Sequence, residues 1–523
     1  MNEALKPFPS IANIGTNLNA AVRIYGNRFY KDQTPVEYLA EFLLVFVSPK
    51  SENGEAKYSF QLTPNGGVDY GYWPTDRVAL KLFAFFPSSK LETRHPVHRR
   101  AYLDAIDEVK AAINAKPEEK DETIRLLQSL FGGFVGVAKN RTWATYTFLP
   151  ASTMLLAREL SWLHSAAHKA QELEDWTGAK KYFAHDRHMF MARGGELLFL
   201  QLANLFSDPV APEIRELLRR PEYKHLANTD LKELERQVSQ GLQSMLDDAI
   251  RPLNGLVAFL EERLTEYQIA DQAKIAHLGW VPATTRAEAL LFASEIKNIC
   301  SLNLSSLDKL DLLQVLCCFH VLRTLCFQAV RIDGFSSKTY GFAGQYAWIV
   351  SDPVAQSGSA ARKMAQASLT QIEGLLYRVL RRTDLEPNGQ LGSVNQADKN
   401  GFQIFKKIAK EIDLVIPLKG TGERFVLSPG LLRFFVASLV TPGAPVRLTD
   451  FYNRVFAHYG IAIGGDALMT ALEWSGSGAD EKQYGVDVST AWVEEALQQG
   501  GFLIELSDAV SIVHNPSGGE VRT

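Results

Sequence analysis

Cysteine is scarce in this chain: four among 523 residues, at Cys300, Cys317, Cys318 and Cys326. No C-x-x-C pair occurs, and adjacent Cys317 and Cys318 diverge on a helix, which argues against a structural zinc site and against a disulfide framework. Reduced, buried thiols are the expectation. A basic surplus is also missing. Lys and Arg number 55 against 59 Asp and Glu, a formal net charge of −4, so there is no global basic footprint of the kind that drives non-specific nucleic-acid binding. A clean apolar run of bilayer length is missing too. The most apolar long stretch, 307–330, contains Asp308, Lys309, Asp311, Gln314, His320, Arg323 and Gln328, and each charge near a bilayer centre would cost about 2.5–3.5 kcal/mol. It reads as a helix enclosed by protein. The first 15 residues carry Lys6, Pro7 and Pro9 and no apolar core of a secretory signal. A cytoplasmic protein with no membrane partner is expected.

Nucleotide and nucleophile motifs are lacking as well. The glycine-rich runs 132–136 and 419–422 match neither G-x-x-x-x-G-K-[ST] nor a dinucleotide fingerprint, and no G-x-S-x-G elbow occurs. Close backbone approach or a turn accounts for such glycines. No catalytic or cofactor-binding residue is assigned, and no cofactor is expected.

What is present is a 46% hydrophobic chain, enough for sizeable cores, with a length that fits about three domains at roughly 100–200 residues each. The expected class is α+β, mainly α. Residues 1–150 read as a mixed α/β domain, with strands expected at 20–24 and 58–62 and a buried helix at 37–47. Residues 151–383 read as helical. Apolar residues recur at helical spacing over 154–169, 193–206, 231–245 and 253–267, with a break at Pro252. Ser305-Ser306-Leu307-Asp308 has capping-box-like spacing, and Ser359 starts a further helix. Residues 384–399, with Pro387, Gly389 and Gly392, read as a linker. In the remainder, 400–523, helices at 429–440, 448–459, 465–474 and 488–499 precede strands at 502–506 and 510–513. Helices closed by a two-stranded hairpin are the layout of a winged-helix module.

Three residue sets could carry chemistry. His164 and His168 lie one helical turn apart, and with His185 and Asp186 they offer the imidazole and carboxylate ligands that a metal-dependent phosphohydrolase or nuclease needs. Arg378, Arg381, Arg382, Lys406, Lys407 and Lys410 cluster in residues 357–427, where eleven Lys and Arg outnumber seven Asp and Glu; with 90–100 they are the places where DNA would be touched. Residues 428–523 invert that balance, with five basic against eleven acidic side chains, a net of −6. The helix at 465–474, in the recognition position, offers Asp466 and Glu473 and no cation. Phosphate contact supplies most of the DNA affinity of such modules, so this one is expected to dock protein. The paired glycines in Arg193-Gly194-Gly195-Glu196 allow close approach of a neighbouring backbone.

Several runs carry a resemblance: NRFYKDQTPVEYLAEFLLVF at 27–46, HDRHMFMARGGELLFLQL at 185–202, GTGERFVLSPGLLRFFVASLV at 420–440 and TDFYNRVFAHYGIAIG at 449–464. In layout the chain resembles the accessory, non-ATPase proteins of multi-gene bacterial anti-phage systems, the phosphorothioation-dependent restriction and methylation-associated defence systems being nearest. The resemblance implies a subunit working beside a helicase-like ATPase, a methyltransferase or a nuclease. It carries over no active-site residue. The expected function is a non-enzymatic scaffold or adaptor, with the His164/His168/His185/Asp186 metal-dependent hydrolase as its alternative.

Overall fold

A computed structural model describes residues 5–10, 18–26, 29, 33–65, 69–74, 96–131, 161–162, 173–184, 194–248, 251–267, 275–334, 342–385, 393–475, 489–507 and 510–518. It is mainly helical with small sheets. The chain divides into two compact units, each built from separated segments: residues 1–31, 200–242 and 279–523 form the first, residues 32–199 and 243–278 the second.

The first unit is organised around the Ser306–Asp333 helix. Its start is set by Ser305, whose Oγ accepts the Asp308 amide at 3.2 Å and donates to the Asp308 carboxylate at 2.6 Å, so the spacing seen in the sequence does cap a helix. Among the described residues this is the one helix long and apolar enough to cross a membrane, and 89% of its apolar window is buried inside the protein. The Arg286–Cys300, Ala360–Val379, Phe402–Glu411 and Ala20–Tyr25 helices pack against it. Around its midpoint, Phe319 stacks on Phe434 at 5.2 Å and lies against Phe435 and Tyr459. Burying aromatic rings of this size dominates a core energetically. The Trp348–Ile349 strand pairs in parallel with Ile461–Ala462, and the last sheet has the order Val446–Arg447, Val510–Val513, Leu503–Ser507, antiparallel throughout.

Two expectations for the N-terminal stretch are corrected. Residues 20–24 are not a strand but part of the Ala20–Tyr25 helix, capped by the Asn19 side chain on the Val22 amide at 3.2 Å. Five of its six residues are buried, and a short segment apolar on all sides has no period to separate helix from strand. Residues 58–62 form no strand, and Tyr58 adopts φ +54°. The described strands before residue 150 are short, so helix outweighs sheet there. Ser161–Trp162, inside a stretch expected to be helical, pairs antiparallel with Phe183–Ala184; residues 132–136 lie outside the described residues. The 384–399 stretch falls inside the first unit. Its second half belongs to the Val394–Asn400 helix, capped by Ser393 and burying Ala397 and Asn400. The helices expected at 231–245 and 253–267 are Leu231–Asp248 and Arg251–Arg263.

In the second unit, the Pro35–Val47 helix opens with a complete capping box: the Thr34 amide donates to Glu37 at 2.6 Å and the Glu37 amide to Thr34 Oγ1 at 3.4 Å. Its far end is closed by Lys50, whose buried Nζ donates to the carbonyls of Phe46 and Ser48 at 2.9 and 2.8 Å. Those carbonyls have no intrahelical donor. The Gly194-Gly195 pair explains itself here. The Gly195 amide donates to Glu41 at 2.7 Å, and a Cβ at Gly195 would sit 2.3 Å from the Tyr38 carbonyl oxygen and 2.4 Å from the Phe42 nitrogen. Backbone cannot yield at that distance.

Gly195→Ala is therefore expected to destabilise the protein by about 1–3 kcal/mol, the usual cost of overpacking. Gly255→Ala, within the Arg251–Arg263 helix and facing open space, is expected to be neutral or stabilising by about 0.5–1 kcal/mol. Thermal or denaturant unfolding of the two variants checks the contrast; equal effects would refute it.

Candidate functional site

The six candidate cations, Arg378, Arg381, Arg382, Lys406, Lys407 and Lys410, all engage carboxylates. Arg378 meets Asp333 at 3.1 Å, Arg381 forks onto Asp398 at 2.7 and 2.9 Å, and Arg382 forks onto Asp384 at 2.9 and 2.6 Å. Lys406 bridges Glu373 at 2.9 Å and Glu423, Lys410 shares that Glu423, and Lys407 meets Glu411 at 3.3 Å. Of the six carboxylates only Asp333 lies outside residues 357–427, so the pairing orients these cations without removing the basic surplus of the segment. Phosphate contact by these side chains would have to displace a carboxylate from each. At 90–100, Arg100 donates to the Glu174 carbonyl at 3.4 Å, while Lys90, Arg94 and His95 lie outside the described residues.

His164, His168, His185 and Asp186 also lie outside the described residues. Among the described residues no three His, Cys, Asp or Glu side chains gather to hold a metal ion. Cys317, Cys318 and Cys326 are buried, and burial pushes all four thiols up, Cys300 to about 12. Thiolate reactivity is suppressed by such burial.

The structure assembles a polar array that spacing did not reveal. Glu295, on the Arg286–Cys300 helix, and Arg323, on the Ser306–Asp333 helix, are both fully buried. The guanidinium forks onto the carboxylate with two bonds of 2.9 Å and gives a third, 3.0 Å, to the His458 carbonyl. His458 Nδ1 meets Glu295 Oε1 at 2.8 Å, and His458 Nε2 meets His225 Nε2 at 2.8 Å. On the other side, His320 Nδ1 faces Arg323 at 2.9 Å while its ring stacks on Phe292 at 4.0 Å. Tyr223, two residues before His225, donates to the Ala457 carbonyl and accepts the Ala343 amide at 3.0 Å.

Chemistry assigns the protons. Burial opposes ionisation of Glu295, but the Arg323 charge and the His458 bond outweigh it and hold the carboxyl below its ordinary range. An ionised carboxylate only accepts, so His458 carries its proton on Nδ1. Its Nε2 is then an acceptor, and His225 donates from Nε2. Arg323 only donates, so His320 accepts at Nδ1. Burial pushes His320 and His458 below the usual imidazole value. Burial of the ring against His458, with the charge of Arg454 nearby, pushes His225 down to about 3. All three imidazoles are neutral at pH 7.

His225 is where this array reaches a cavity of about 790 Å³, also lined by Lys224, Asp450, Asn453, Arg454 and Asp466. Asp450, Arg454 and His458 follow one another at four-residue steps along the Leu448–Tyr459 helix, which puts them on one face. The arrangement can position a polar ligand through neutral imidazole and mixed charges. A base already displaced so far down accepts protons poorly at neutral pH.

At the C-terminus, the helix directly preceding the hairpin is Ala491–Gln499, within the 488–499 helix expected there; residues 476–488, between it and the Gly465–Ser475 helix, lie outside the described residues. The Ala491–Gln499 helix carries Glu494 and Glu495 and no Lys or Arg. The following strand, Leu503–Ser507, exposes Ile504 by 44% and Leu506 by 61%. Comparisons of the chain with protein-family models, with curated proteins and with solved structures found no match.

The ion pair makes a strong demand. Glu295→Ala or Arg323→Ala alone is expected to destabilise by about 3–5 kcal/mol, because each leaves an uncompensated buried charge, whereas joint replacement by Leu and Met is expected to cost less than either. Denaturant unfolding of the three variants checks the order. For pH, the unfolded chain protonates its histidines near the ordinary imidazole value of about 6.5, while the folded chain keeps His225 and His320 neutral well below it and shifts His458 in the same direction. The unfolded state therefore binds more protons in the window from about 6.5 down towards about 3. Stability is expected to fall as pH drops through that window; an unfolding midpoint unchanged between pH 7 and pH 5 would contradict it.

Proposed function

We propose that the chain is a non-enzymatic scaffold or adaptor subunit of a bacterial anti-phage defence complex, acting in the cytoplasm and docking a partner protein through its C-terminal region. The observation that carries this reading is the acidic C-terminal surface. The sheet there runs Val446–Arg447, Val510–Val513, Leu503–Ser507 after a set of helices, an order that supports reading the module as a winged helix. Yet the helix before the hairpin presents Glu494 and Glu495, where a DNA-reading module would place cations. Of the module's described cations, Arg433 faces Asp308 at 3.6 Å and Arg454 donates to the Leu439 carbonyl at 3.0 Å. A surface so charged repels phosphate and suits a basic protein face, giving orientation and a fast encounter. The partners follow from the family resemblance: a helicase-like ATPase, a methyltransferase or a nuclease.

Glu494→Lys with Glu495→Lys in the full chain is expected to weaken co-purification with the products of neighbouring genes by about tenfold or more, equivalent to about 1.4 kcal/mol, and to lower phage protection without loss of thermal stability. Unchanged co-purification and unchanged protection would overturn the docking assignment.

A further inference from the structure

The acidic module ends in a sheet with an open edge. In the order Val446–Arg447, Val510–Val513, Leu503–Ser507, the last strand pairs on one side only among the described residues. Phe502 accepts the His514 amide at 2.9 Å, and Ile504 lies opposite Ile512. In an antiparallel ladder the main-chain groups alternate in direction, so those of Leu503 and Glu505 point to the open edge. Side chains alternate as well. Ile504 and Leu506 are 44% and 61% exposed, and within the regular Leu503–Glu505 portion Ile504 and Glu505 stand on opposite faces.

Edge strands are ordinarily blunted by Lys or Pro. LIELS contains neither, and a register irregularity between Glu505 and Ser507 leaves the Leu503–Glu505 portion regular. Such an edge accepts an added strand. A second copy of this chain is a poor occupant, because edge-to-edge pairing would bring two Glu505 side chains and two modules of like charge together. The complementary occupant has apolar residues on the face of Ile504 and cations on the face of Glu505.

Building on the docking role proposed above, we infer that the Leu503–Ser507 edge binds an extended segment of a partner protein, alternating apolar and basic residues, by β-strand addition. The probe is a hexapeptide alternating Lys and Val, compared with a block peptide of the same composition, Lys-Lys-Lys-Val-Val-Val, against the full-length chain. The alternating peptide is expected to bind about tenfold or more tightly than the block peptide, a difference of about 1.4 kcal/mol. Its binding is expected to slow amide exchange at Leu503 and Glu505 and leave Ile504, already paired, unchanged. Ile504→Glu with Leu506→Glu is expected to abolish the preference; Glu505→Lys, a milder surface change, is expected to weaken binding if the double variant fails to fold. Equal binding of both peptides, or no protection at Leu503 and Glu505, overturns strand addition. If strand addition fails while Glu494→Lys with Glu495→Lys still releases the partner, the edge assignment is wrong and the adaptor reading stands.

Discussion

The first unit depends on one buried ion pair. Glu295 and Arg323 have no access to water, and two charges in that setting persist only if every lone pair and proton is engaged. The requirement propagates outward. The third guanidinium contact fixes the His458 carbonyl, the carboxylate fixes the His458 tautomer, and His458 in turn fixes the proton on His225. Two core helices, the Leu448–Tyr459 helix and the Pro221–Leu226 turn are thereby held in a single register. Apolar packing alone tolerates sliding and repacking, whereas a forked, charge-assisted bond accepts one geometry.

Charge of the opposite kind of placement governs the surface. Arg378, Arg381, Arg382, Lys406, Lys407 and Lys410 are drawn into pairs with carboxylates from helices and loops near them. Each exposed pair stabilises little by itself. Among the described residues of the C-terminal module, Glu495 and Glu505 are exposed.

Several helices after residue 193 were legible because their signals are local. Ser305 and Ser359 each cap a helix at the residue where capping chemistry places it, and apolar spacing marks buried faces. The Pro212–Arg219 and Arg286–Cys300 helices and Val394–Asn400, inside the expected linker, were not legible. The strand expected at 20–24 failed for want of a period, not for want of apolar residues. The polar array was not legible. Glu295 and Arg323 lie 28 positions apart and His458 a further 135, and nothing in a linear pattern distinguishes a buried arginine from one that leaves the helix for solvent. The trace it did leave was an arginine and a histidine inside the most apolar helix of the chain, a combination that excluded a membrane span before it revealed a partner.

The sequence by itself determined the mainly helical class, the helix starts at Ser305 and Ser359, the enclosed 306–333 helix and the acid surplus of the last hundred residues, because caps, periodicity and charge counts act over a few neighbours. Tertiary structure alone decided that the basic stretch is paired, that residues 384–399 lie within a compact unit, that Gly195 meets the backbone of the Pro35–Val47 helix, and that an imidazole pair reaches from a buried ion pair to a cavity. Those outcomes depend on which distant side chains share low-dielectric space, where a charge or a missing Cβ is decided by its neighbours in three dimensions.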